Sequence, residues 1–65
     1  MVEYRISRSG RQYLAFTPDE VYLALFVLVD DDDDAMAASD WAEHASVGET
    51  YHGSDYIVEV VDDEN

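Results

Sequence analysis

Cysteine and lysine are both missing from this chain, and each absence excludes something. Without cysteine there are no disulfides, no thiolate-metal sites and no thiol nucleophile, a composition that fits a reducing compartment. Without lysine the only cations are Arg5, Arg8 and Arg11, set against sixteen acidic residues. With a net charge of −13 and no basic patch, direct binding to nucleic acid is opposed. Long apolar runs are also scarce. Val21 to Val29 is the longest, and its nine residues fall far short of the ~20 that span a bilayer as a helix. The start, Met1-Val2-Glu3-Tyr4-Arg5, has no basic segment leading into an apolar one, so no signal peptide is expected. The expectation is a soluble, cytoplasmic protein with no membrane contact.

Charge is distributed unevenly. Residues 1–29 hold Glu3, Asp19 and Glu20 against the three arginines and sum to zero, whereas residues 30–65 hold thirteen carboxylates and no Lys or Arg. Such acidity often marks disorder. Here 48% hydrophobic content, five tyrosines, two phenylalanines and Trp41 supply material for a core. The 65 residues make one domain, at the small end of what folds alone, with about 3–5 kcal/mol expected from its core.

Val2-Glu3-Tyr4-Arg5-Ile6-Ser7 alternates apolar and polar residues, and Gln12 to Phe16 follows a Gly-centred turn, so residues 2–16 read as a hairpin. Thr17-Pro18-Asp19-Glu20 is a capping box: Thr17 accepts from the Glu20 amide, Glu20 reaches back to the Thr17 amide, and Pro18 occupies the first helical position. The helix predicted from there to about Val29 is apolar at every position, so periodicity alone also allows a central strand. A domain this small can hardly surround such a helix, so part of it is expected to lie against the partner or a second copy in a homodimer. The Asp30 to Asp34 run ends it and suits the start of a second helix, capped by Asp33 or Asp34. In that helix, Ala35 to Ala45, the apolar stripe is expected at Ala37 or Ala38, Trp41 and Ala45, with Asp40, Glu43 and His44 toward water. Val47-Gly48 ends it. A short strand at Glu49 to Tyr51, a turn at His52 to Asp55 and a strand at Tyr56 to Val61 precede an acidic tail, Asp62 to Asn65. The expected class is α+β: a small antiparallel sheet in ββααββ order with two helices packed on one face.

Chemistry is thinly provisioned. His44 and His52 belong to no Ser/His/Asp arrangement and read as solvated surface residues. No catalytic residue, metal or cofactor is expected, and the chain is read as a non-enzyme. Counting an EF-hand from Asp30 puts Ala35 at the required glycine and Trp41 at the required glutamate, so that pattern fails. A charge run is most often a solvated face. The uncompensated charge and its cost to a marginal fold argue for a use. So does linear density: in extended chain Asp31 to Asp34 carry one charge per ~3.3 Å, close to the ~3.4 Å between phosphates of a nucleic-acid strand. Asp30, Asp31, Asp32, Asp33, Asp34, Asp40, Glu43, Glu49, Asp55 and Glu59 are the candidate partner-binding residues, with Tyr51 and Tyr56 as aromatic anchors or as residues packed on the sheet.

In size, charge and its Asp run the chain resembles the DNA-mimic proteins of phages and mobile elements, notably anti-CRISPR proteins of the mimic type. The resemblance runs over the whole chain and rests on no motif. It implies an inhibitor that binds the basic DNA-binding surface of a nucleic-acid-binding complex, such as a CRISPR surveillance complex, and blocks target recognition. Two other readings stand beside it: a haloarchaeal protein whose acidity is salt adaptation, and an antitoxin or adaptor that docks through Val21 to Val29.

Overall fold

The computed structural model describes residues 2–62. Strands β1 (Val2–Arg8) and β2 (Arg11–Ala15) form the N-terminal hairpin. Its two-residue loop puts Ser9 at φ 53° and Gly10 at φ 78°, the paired positive values of a turn whose twist matches its strands. Helices α1 (Pro18–Val29) and α2 (Asp32–His44) follow, then β3 (Thr50–His52) and β4 (Ile57–Asp62). All pairings are antiparallel and the order is β2-β1-β4-β3, so the first and last strands meet at the centre of the sheet. The expected α+β architecture is present.

Alternation sorts the sheet residues into two faces. Tyr4, Ile6, Ala15, Val58 and Val60 turn to the helices and join Val21, Leu25, Ala35, Ala38, Ala42 and Tyr56 in one core. The other face carries Leu14, Ile57, Glu59 and a buried Glu3, whose carboxylate accepts from Arg5 Nε at 2.9 Å.

The ends of the helices correct three local expectations. Thr17 accepts from the Glu20 amide as the capping box requires. Glu20 reaches one residue further back, however, and accepts from the Phe16 amide at 2.7 Å, because Phe16 still has an unpaired N–H where the hairpin ends. The cap of α2 is Asp31, not Asp33 or Asp34: its Oδ1 accepts from both of their amides, at 3.0 and 3.3 Å. With the cap at Asp31, the helix takes in the rest of the run. Its buried stripe is Ala35, Ala38 and Ala42, while Trp41 and Ala45 are half-buried and Ala37 is exposed. Trp41 is too bulky for the close approach and lies at the flank, 5.3 Å from the Tyr51 ring. Asp30 adopts the left-handed conformation (φ 59°, ψ 38°) that ends α1, a place few residues besides glycine and Asn/Asp accept.

The later boundaries move slightly. Helix α2 gives way at Ala45, before Val47-Gly48, and β3 begins at Thr50 because the Glu49 amide is engaged in the preceding turn, donating to the Ser46 carbonyl at 3.0 Å. Tyr56 lies outside β4, and Asp62 is its last residue; the remainder of the expected acidic tail lies outside the described residues.

Candidate functional site: the acidic helix layer

Residues 18–44 carry nine carboxylates and no Lys or Arg, and they form the layer that covers one side of the sheet. How α2 is held explains why it can be so acidic. Its inner stripe is alanine, which allows close approach but contributes little apolar area. Two tyrosines then tether its backbone. Tyr4 donates to the Ala42 carbonyl at 3.3 Å, serving one of the last-turn carbonyls that no helical amide reaches. Tyr56 donates to the Asp34 carbonyl at 3.4 Å. Burial, followed by the charge of Asp34, pushes the Tyr56 phenol far above its ordinary range. Between the helices, Tyr22 donates to Asp32, and Ser39 donates to the Pro18 carbonyl at 3.1 Å.

The ten candidate residues do not form one patch. Asp30 to Asp34 gather at the junction of α1 and α2, and Asp40 and Glu43 continue along the exposed side of α2 with Asp33. The extended-chain match to phosphate spacing is overturned. Asp32, Asp33 and Asp34 lie in the first helical turn, where residues rise only ~1.5 Å each and fan around the axis. The helix dipole favours this arrangement, since negative charge at a helix start is stabilising. The carboxylates are thus a cluster with a stripe leading from it, not a line.

Three other candidates stand apart. Asp55 is paired with Arg8, its Oδ2 lying 3.0 Å from Arg8 Nη2 and 3.1 Å from Nε. Glu49 accepts from the Ser46 amide at 3.0 Å and closes the turn before β3. Glu59 points from β4 to the opposite face of the sheet, across from Arg5. Within the cluster, Asp31 is occupied by capping, and Asp34 accepts from Ser54 at 3.1 Å. The tyrosines are packed: Tyr56 is buried, and Tyr51 is half-buried between the Trp41 and Tyr56 rings.

Asp40, Glu43 and His44 each place one ligand-type atom within 4.8 Å of the others on the exposed side of α2. His44 Nδ1 lies 3.0 Å from the Asp40 carbonyl, which can only accept, so this nitrogen donates. An open depression of about 460 Å³ lies between the two hairpin ends, where His52, Ser54 and the Arg8–Asp55 pair meet. A smaller one of about 210 Å³ lies between the helices, lined by Tyr22, Met36, Ser39, Asp40 and Glu43.

Beside the acidic stripe runs a feature that the charge pattern does not show. Val21 and Leu25 take α1 into the core, which leaves the opposite side of the helix to water. There Leu23 is 59% exposed, Phe26 44% and Val27 78%. Its signal was the uninterrupted apolar run, since a helix on a single-layer core can bury only one side. Among the described residues, no helix is long and apolar enough to cross a membrane. Comparisons with protein-family models, curated proteins and solved structures found no match.

Proposed function

We propose that the protein is an acidic inhibitor that binds the basic DNA-binding surface of a nucleic-acid-binding protein or complex and excludes its DNA, as DNA mimics of the anti-CRISPR type do. One observation carries this reading: nine carboxylates and no Lys or Arg occupy the helix layer, while all three arginines belong to the hairpin strands. The contact set is Asp30 to Asp34 with Asp40 and Glu43. Asp55, Glu49 and Glu59 drop out of it, the first neutralised by Arg8, the second beyond the helix layer in the turn before β3 and the third on the far face. Charge of one sign on an exposed layer steers association with a cationic surface and speeds it, and salt weakens both effects.

The test is displacement of DNA from candidate nucleic-acid-binding complexes across a salt series. A variant with Asp30 to Asp34 and Asp40 changed to Asn and Glu43 to Gln should retain its fold, because Asn caps helices about as well as Asp and also accepts the left-handed conformation at position 30. It should lose displacement at all salt concentrations. Displacement equal to that of the wild type overturns the reading.

A further inference from the structure

We infer that the outward side of the helix layer is a two-part groove for a cationic amphipathic helix of the partner, α1 receiving its apolar stripe and α2 its Lys or Arg side chains. This rests on the reading that the partner is basic, and it specifies the element by which that partner is gripped.

The apolar half is ordered. Tyr22 and Phe26, one turn apart, stack with ring centroids 6.0 Å apart and planes 14° apart. Leu23 and Val27 repeat the same interval alongside them, away from the buried Val21 and Leu25. The hydrogen bond from Tyr22 to Asp32 fixes the ring at the seam between the helices. Across that seam Met36, 57% exposed, continues the apolar surface, and Asp40 and Glu43 form the opposite wall of the 210 Å³ depression. The twelve residues of α1 extend about 18 Å, enough for about three turns of a docked helix.

Charge selects the occupant. A second copy would set nine carboxylates against nine, with no Lys or Arg in either helix layer to offset them. An uncharged apolar segment would desolvate Asp40 and Glu43 without pairing them, which is costly. Anionic lipid and nucleic acid are repelled by the same wall. A helix with an apolar stripe rimmed by Lys or Arg satisfies both halves.

The experiment uses the full chain and two synthetic peptides of identical Leu/Lys composition, each about three turns long. One has a leucine stripe at helical spacing, and in the other the order is scrambled. Binding is read by fluorescence anisotropy at low and physiological salt. The striped peptide should bind about tenfold more tightly, a difference that burying one aliphatic side chain can supply. Phe26→Ser with Val27→Ser should erase that preference while leaving the weaker, salt-sensitive binding common to both peptides. Val27→Ser alone, at the most exposed position, should reduce it and guards against misfolding of the double variant. Equal binding of the two peptides by the wild type overturns the inference, as does a preference that survives in both variants. Sedimentation showing a wild-type dimer that Val27→Ser dissociates also overturns it, in favour of a second copy. DNA displacement by the wild type separates the two proposals: displacement without any peptide preference removes only the groove, and a peptide preference without displacement removes only the mimic reading.

Discussion

Helices α1 and α2 lie side by side on the same sheet, yet they are held and used in opposite ways. Helix α1 anchors itself with large side chains, Val21 and Leu25 inward, and carries further apolar residues outward. Helix α2 fully buries only alanines, with Trp41 half-buried at its flank, and tyrosines from the strand side hydrogen-bond to its backbone. The contrast shows how a very small domain tolerates thirteen carboxylates after residue 29, a stretch with no Lys or Arg of its own. Stability is concentrated in the hairpin, α1 and β4, and charge is placed on the helix that contributes least to the core.

The sharpest way to break this comparison is Leu25→Ala. Removing a fully buried leucine costs about 2–5 kcal/mol, as much as the whole expected stability of about 3–5 kcal/mol. Urea denaturation should find the variant largely unfolded; a well-folded protein would show that α1 is not the anchor.

Next in size is an alkaline transition. The phenol of Tyr56 is raised by burial and the nearby Asp34 charge, and that of Tyr22 chiefly by its hydrogen bond to Asp32. A phenol whose folded pKa exceeds its unfolded value of 10.0 adds stability that is complete below pH 10 and lost as pH rises toward the folded value. Thermal melts should therefore decline above pH 10, and Tyr56→Phe should make that decline shallower. It should also lower stability at neutral pH by about 1 kcal/mol through the lost hydrogen bond. An unchanged alkaline slope in the variant would remove Tyr56 as a tether of α2.

The smallest expected effect sharpens the assignment within the Asp run. Asp31→Ala should cost about 1 kcal/mol of stability and Asp31→Asn far less, because only Asn keeps an oxygen for the amides of Asp33 and Asp34. Asp33→Ala has no cap to lose, and chemical denaturation should rank it above Asp31→Ala. The reverse order would move the cap to Asp33.

Much of the fold was legible because its signals are local. Alternation with a Gly-centred turn marked the hairpin, Thr17-Pro18 marked the start of α1, and the acidic run marked the helix boundary. Less local choices were not legible. Glu20 could reach Thr17 or Phe16, and any of several aspartates could cap α2; which one does depends on where the chain enters the helix. The site suffered most. Ten carboxylates read in order along the chain looked like one strip, but pairing with Arg8 withdraws Asp55, and strand parity sends Glu59 to the far face.

By itself the sequence determined the class of fold, the order of its elements and the segregation of charge, since composition, alternation and caps act over a few residues. Tertiary structure alone decided that β1 and β4 meet at the centre of the sheet, strands more than forty residues apart in the chain. That pairing fixes which side of each helix is covered. It thereby leaves Leu23, Phe26 and Val27 exposed in the same layer as the carboxylates of α2, because only the three-dimensional packing of a one-sided core determines what is left facing water.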